Sequence, residues 1–312
     1  MTAEPFDASA DDSPAGSPDD AWLRSYAAGL GAVDRPGLPV AHVQTPSGAH
    51  VVALGDVVVK LHHPRTDPVA LSARLTAVTR LAAQDLFVQP LSATIAVEPL
   101  TGRLVTAWPR VEVLDPEDEE LPWAAAGALL ASLHRAPLDA AAGALATHGG
   151  GERLARAAGR VASLPIGDDD RALLSALGTR LVQELSEATP QRDPRLNCLV
   201  HGDWHLGQLA RADGRWLLLD VDDVGPGDPA WDLGRPAGFW AAGLLDDEDW
   251  DAFLGAYRAS GGPGVPPVED PWPRLVLPAR GAVFVATVRT HGVQPTHSEI
   301  SASALLHACM RM

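Results

Sequence analysis

The sequence predicts an α+β protein of two lobes, a small antiparallel-sheet lobe followed by a larger, mainly helical one. Three observations carry this expectation. From Val40 to Ala107, short β-prone runs are separated by tight-turn dipeptides and interrupted by a single helical pattern. After Trp108-Pro109-Arg110 the periodicity becomes helical for most of the remaining chain. Within that second part, the stretch Leu199 to Leu233, LVHGDWHLGQLARADGRWLLLDVDDVGPGDPAWDL, puts acidic and metal-liganding side chains at the ends of short apolar runs.

The bulk composition is consistent with two lobes. With 312 residues and 46% hydrophobic content, the chain is long enough for a well-buried core. Residues 1–20, rich in Asp, Ser, Pro and Ala, are expected to form a disordered acidic tail. The expected division is then 21–110 for the first lobe and 111–312 for the helical lobe. A net charge of -16, with no basic or aromatic stripe, argues against a nucleic-acid partner. No run approaches 18 apolar residues, and the acidic N-terminus lacks a basic region followed by an apolar core, so the expectation is a cytoplasmic protein without a membrane partner. Cys198 and Cys309 have no CxxC spacing and read as small hydrophobes, not as a zinc site or disulfide framework.

Taken in order, Ala21 to Leu30 reads as a short helix, with Trp22, Tyr26 and Leu30 at helical spacing, packing on the first lobe. Strands are expected at Val40–Thr45, His50–Leu54, Val57–Leu61, Thr94–Val97 and Leu104–Ala107, with turns at Gly55-Asp56 and Thr101-Gly102. The helix between the third and fourth runs spans Pro68–Ala83, capped by Asp67 and apolar at Leu71, Leu75, Val78 and Leu81. The acidic run Asp115–Glu120 reads as a solvated linker or helix start. Helices follow at Trp123–His134, Arg153–Leu164 and Asp168–Ala188, and, beyond the loop cluster, at Pro229–Leu244, Asp249–Ala259, Trp272–Thr290 and Ser298–Met310.

In the loop cluster, Leu199-Val200 is a buried strand ending in His201-Gly202-Asp203. Gln208–Ala210 and Trp216–Leu219 form a hairpin around Ala212-Asp213-Gly214. One loop carrying Asp203 and another carrying Asp220, Asp222 and Asp223 are thereby expected to face each other. Two like charges about 4 Å apart interact by roughly 4 kcal/mol at an effective dielectric near 20, so the cluster needs a shared cation, read here as a divalent metal. Lys60 is the chain's single lysine and stands in VVVK, which makes it a candidate for a chemical role.

The order of these features, a lone lysine on a sheet, HGDWHLGQ, then LLLDVDDVGPGDPAWDL, resembles the aminoglycoside phosphotransferase and choline kinase group of small-molecule kinases. The resemblance covers residues 40 to 260 weakly and the loop cluster specifically. It implies a protein-kinase-like fold, with ATP or another nucleoside triphosphate and Mg²⁺ bound between the lobes. Asp203 would orient or deprotonate the acceptor hydroxyl, and Asp220 would hold Mg²⁺ with Gln208 as second ligand. Asp222 would be a further metal ligand or a substrate contact. Lys60 would meet the α/β-phosphates. The segment Val105–Arg110, with Val105, Ala107 and Arg110, would be the hinge whose backbone meets the adenine. His201 would scaffold its loop through ring hydrogen bonds, and Asp232 would tie the two loops together through backbone amides.

The sequence departs from the family pattern in three places. Gln208 replaces the usual Asn, keeping the amide oxygen and adding a methylene; the form HxGQ is similar to the maltokinase and glucosamine kinase branch. The Pro68–Ala83 helix carries no Glu or Asp to pair with the lysine, leaving Asp67, Asp85 or Glu98 as substitutes. No GxGxxG loop is present, only Thr45-Pro46-Ser47-Gly48-Ala49. The implied acceptor is a small molecule: an aminoglycoside, a sugar or an amino sugar, with the acidic balance tilting slightly towards an amine-bearing compound.

Three rival readings use the same residues. LLLDVDDVG also matches the nucleophile strand of haloacid-dehalogenase-type phosphatases, although such a motif opens a βαβ domain and little chain follows it here. His201, Asp203 and His205 alternate as a metal-hydrolase trio could, without a further histidine loop to complete it. A non-catalytic or weakly active kinase-like nucleotide-binding protein is the third, favoured by the missing helix carboxylate and opposed by Asp203, Gln208 and Asp220.

Overall fold

A computed structural model of the chain describes residues 18–31, 41–45, 48–82, 85–115, 118, 120–138, 145–188 and 197–292. Most of the expected acidic tail and the whole expected helix Ser298–Met310 lie outside the described residues. The chain divides into two compact units, one of Met1–Thr66 with Thr94–Arg110, the other of Asp67–Ala93 with Val111–Met312.

The first unit is built on a sheet. Helix α1 (Asp20–Gly29) starts where the Asp19 carboxylate accepts the Ala21 and Trp22 amides at 2.9 and 3.1 Å. Strands β1 (Ala41–Gln44), β2 (His50–Leu54), β3 (Val57–Leu61), β4 (Ala96–Val97) and β5 (Leu104–Pro109) form an antiparallel sheet in the order β1-β2-β3-β5-β4. Alternation places Val52, Leu54, Val57, Val59, Leu61, Val105 and Ala107 on one face, where Leu23 and Ala27 of α1 complete the core. Lys60 therefore stands on the opposite face of β3, paired in register with Val51 on one side and Thr106 on the other. Directly after β4, the buried Glu98 carboxylate accepts the amides of Leu100, Thr101 and Asp19 and caps the β4–β5 turn.

The second unit begins with α2 (Pro68–Ala82), whose Leu71, Leu75, Val78 and Leu81 are fully buried. Residues 67–93, expected within the first lobe, belong to this unit. The reason is long-range backbone pairing: the Val88 amide donates to Leu218 O at 3.0 Å and the Leu218 amide to Leu86 O at 2.8 Å. Strands β6 (Glu112–Val113), β8 (Leu209–Ala212) and β9 (Arg215–Leu218) make a three-stranded sheet, and β7 (Cys198–Val200) pairs with β10 (Gly225–Gly227), a strand the sequence pattern did not announce.

Helices α3 (Trp123–Arg135), α4 (Gly150–Arg160), α5 (Asp168–Ala188), α6 (Ala230–Ala241), α7 (Asp247–Ala259) and α8 (Trp272–Gly292) supply the bulk of this unit. Leu154, Ala157, Leu174, Leu181, Val283 and Phe284 form the core of α4, α5 and α8. Helix α6 crosses α8 closely: a Cβ on Gly238 would stand 2.8 Å from Ala279 O, so only glycine permits this approach. No helix among the described residues is long and apolar enough to cross a membrane.

Candidate active site

The loop His201-Gly202-Asp203 leaves β7 under tight backbone control. Asp232, fully buried on α6, accepts the His201 amide at 2.6 Å and the Gly202 amide at 2.9 Å. Its Oδ2 also accepts from His134 Nε2 at 3.0 Å, while the Tyr257 hydroxyl donates to His134 Nδ1 at 2.8 Å and accepts the Gly264 amide at 2.9 Å. Burial pushes the Asp232 carboxyl up, but the His134 hydrogen bond, the nearby imidazoles and the His201 amide outweigh it and hold the group below its usual value. Gly202 has φ +84°, and a Cβ there would lie 2.4 Å from Asp223 O. The indole of Trp231 adds a third tie, donating to Gly202 O at 3.1 Å.

The β8–β9 hairpin brings the second loop alongside. Its turn, Asp213-Gly214, has φ +49° and +75°, the conformation of a tight hairpin turn. The Leu219 amide donates to Gln208 O at 2.8 Å, so Gln208 stands next to the residue that precedes Asp220. His201 Nε2 donates to Leu219 O at 2.7 Å, and its ring stacks on Phe87 at 6.2 Å. Asp220 itself has φ +58°, a left-handed conformation, and its Oδ1 accepts the Asp222 amide at 3.0 Å. His201, Gln208, Asp220, Asp222 and Asp232 are thus joined by a continuous run of short hydrogen bonds in one unit. Strained backbone at Asp220, held by its surroundings, is the kind of outlier that gathers at functional sites.

Two arginines missed in the sequence complete this region. Arg153 on α4 has Nη1 2.8 Å from Asp203 Oδ2, and its Nη2 pairs with the Asp223 carboxylate. The cation shared by Asp203 and Asp223 is therefore a guanidinium, which corrects the inference that all four loop carboxylates need a metal. Arg74 on α2 donates through Nε to Val224 O at 3.0 Å; burial lowers its pKa while the carboxylates of Asp222, Glu152 and Asp220 pull it back up. A helix without acidic residues therefore presents a cation to the Asp220–Val224 loop. No local pattern marks either arginine; Arg153 sits on an ordinary amphipathic helix.

His205 follows the loop with its backbone carbonyl accepting the Gln208 amide at 2.8 Å. Burial, then the charges of Arg235, His201, Arg289 and Arg153, hold its imidazole well below the ordinary histidine value. Trp204 is buried against Phe253, with ring centroids 5.1 Å apart. Neither is placed as part of a hydrolase trio: among the described residues no group of three His, Cys, Asp or Glu side chains converges to hold a metal.

In the first unit, the side chains of Val105 and Ala107 are fully buried in the sheet core, so only their backbone can meet a ligand. Arg110, the last residue of the expected hinge, is held by the neighbouring turn. Its amide donates to Asp56 O at 2.7 Å and its guanidinium to Gly55 O at 3.3 Å, so it closes the β2–β3 turn. The candidate partners of Lys60 have other work as well: Asp67 accepts the Val69 amide at the start of α2, Asp85 pairs with Arg215, and Glu98 caps its turn.

A family model described as "Phosphotransferase enzyme family" matches residues 40–272. The chain belongs to that phosphotransferase family, the aminoglycoside phosphotransferase and choline kinase group. Solved structures share the fold of this family member over nearly its whole length. An amicoumacin kinase, solved in complex with AMP-PNP, Ca²⁺ and Ami, has a TM-score of 0.64 at 15% identity, covering 94% of this chain and 92% of that one. A choline kinase from Streptococcus pneumoniae has a TM-score of 0.63 at 13% identity, covering 94% and 99%. An aminoglycoside phosphotransferase from Streptomyces rimosus has 0.56 at 20% identity, covering 87% and 98%. The two-lobed kinase-like α+β fold is thus established for this phosphotransferase, and family membership makes it an ATP-dependent enzyme acting on a hydroxyl group of a small molecule.

Proposed function

We propose that this phosphotransferase is a Mg²⁺-dependent small-molecule kinase in which Asp203 orients the acceptor hydroxyl and accepts its proton as the γ-phosphate is transferred. The carrying observation is the binding of the two loops into one body, through Leu219 N–H to Gln208 O and His201 Nε2–H to Leu219 O. That arrangement holds the backbone of the loop before Asp203 beside the backbone of Gln208 and Leu219, which suits a reaction resting on positioning and charge stabilisation.

The donor set fits the metal. Asp220 and Asp222 offer carboxylate oxygens and Gln208 an amide oxygen, and Mg²⁺ takes few protein oxygens, completing its shell with phosphates and water. When bound, the ion neutralises charge on the phosphate oxygens. Lys60 is assigned to the α/β-phosphates on the family resemblance. For the base, β5 beyond Val105 is paired on its β3 side only among the described residues, which supports the backbone of Thr106–Trp108 as the edge an adenine would use. The acceptor belongs to the sugar-like hydroxyl compounds, the HxGQ loop being the feature that favours them.

The test is turnover of a hydroxyl-acceptor panel with Mg²⁺-ATP, wild type beside Asp203→Asn and Asp220→Asn. General-base assistance is typically worth about 10²–10⁴-fold, and a kcat loss of that size in Asp203→Asn is expected. Unchanged kcat in that variant removes Asp203 from the role. Asp220→Asn is expected to raise the Mg²⁺ concentration for half-maximal rate.

A further inference from the structure

Three helices each send one arginine to Asp203. Arg153 of α4 is in direct contact at 2.8 Å, Arg235 of α6 has Nη1 3.9 Å from Oδ1, and Arg289 of α8 has Nη2 3.9 Å from Oδ2. Counting the Asp223 carboxylate that Arg153 also holds, three guanidiniums face two carboxylates. Holding Asp203 in place requires only the first of them. At 3.9 Å the other two lie beyond hydrogen-bonding distance, and among the described residues neither guanidinium makes a hydrogen bond. The Arg235 guanidinium carbon lies over the Phe239 ring, 5.4 Å from its centroid.

Each side chain keeps 29% of its surface exposed, the rest being packed against the protein. Both also bear the cost of an incompletely compensated cation. Burial lowers the pKa of Arg235 to about 10 and lowers that of Arg289, Asp203 works against it in both, and the neighbouring arginines add to the lowering. A planar fork with unspent donors next to a carboxylate that orients a hydroxyl is suited to a carboxylate or phosphate, and repels an ammonium group.

We propose that the acceptor of this phosphotransferase carries an oxyanion group, a carboxylate or a phosphate, beside the hydroxyl that is phosphorylated, and that Arg235 and Arg289 bind that group. The proposal rests on the assignment of Asp203 to the acceptor hydroxyl. It sets the acceptor apart from amine-bearing compounds, towards which the overall acidic charge alone tilts the reading.

The test uses the full chain and matched congeners: glucose, glucosamine, glucuronate and glucose 6-phosphate, with glycerol, 3-amino-1,2-propanediol, glycerate and glycerol 3-phosphate. Binding is measured by calorimetry in the presence of Mg²⁺ and AMP-PNP, and turnover with Mg²⁺-ATP. The anionic members are expected to bind at least tenfold more tightly than their neutral and amine counterparts, the carboxylate and phosphate arms telling which oxyanion is preferred. Arg235→Gln and Arg289→Gln are each expected to weaken the anionic congener about 10- to 100-fold, the range of a lost hydrogen bond to a charged group, and to weaken it more than the neutral congener. Arg289→Lys, which keeps the charge, is expected to recover part of the loss. Equal or absent binding across the matched sets overturns the proposal, as does an anionic preference that survives in the double Gln variant. Failure of Mg²⁺-AMP-PNP itself to bind strikes the kinase reading instead.

Discussion

The Asp232 carboxylate receives the His201 amide at 2.6 Å, across a sequence separation of 31 residues, with no solvent at either partner. With the Gly202 and His134 bonds, one side chain on α6 supports the entry to the His201-Gly202-Asp203 loop. Replacing it by Ala leaves three buried donors without a partner, a loss of about 3–5 kcal/mol by the usual cost of breaking a buried charged network. Urea unfolding of Asp232→Ala against wild type measures this, and a difference below about 1 kcal/mol contradicts the role.

The same residue predicts an acid limb. Its folded pKa is depressed, so its contribution is fully present above the unfolded carboxylate value of about 3.9 and is lost as pH falls through the lower folded value. The stability gap between wild type and Asp232→Asn is expected to shrink with acidification below about pH 4. A gap that stays constant there would show that Asp232 is not a depressed carboxylate.

His205 gives a second pH window. Burial and neighbouring guanidiniums depress its folded pKa, so the unfolded chain binds the proton more readily and stability is lost as pH falls below about 6.5. His205→Gln cannot take up that proton. Wild type is therefore expected to lose ground against it between neutral pH and pH 5 in thermal unfolding series, and parallel curves would count against the prediction.

Gly202→Ala is expected to cost both stability and rate, because φ +84° is a left-handed conformation and the added Cβ would meet Asp223 O at 2.4 Å. A positive-φ residue of this kind costs on the order of 1–3 kcal/mol before the clash is counted. The rate loss should appear in kcat. Full activity at wild-type stability would mean the loop has more freedom than its hydrogen bonds allow.

Tyr257→Phe removes a hydroxyl that donates to His134 and accepts from Gly264. The buried Gly264 amide and His134 Nδ1 are then left unpaired, and about 1–3 kcal/mol of stability is expected to go with each orphaned group. Denaturant midpoints read the loss, and a neutral substitution would show that water takes the hydroxyl's place.

What the sequence determined by itself was local. Period-two runs separated by Gly-Asp and Asp-Gly turns marked β2, β3 and the β8–β9 hairpin, and helical spacing with Asp67 as cap marked α2. The segment HGDWHLGQ with LLLDVDDVGPGDPAWDL named the loops and the family, because each motif lies within one short stretch of chain. What only the tertiary structure decided was which charges meet. Arg153, Arg235, Arg289 and Arg74 sit on four helices with unremarkable periodicity, and residues 67–93 join the second unit through backbone pairing with Leu218. Such contacts join residues far apart in sequence, and no local pattern records where a helix axis will carry a guanidinium, so the cation held between Asp203 and Asp223 became visible only when the helices were packed.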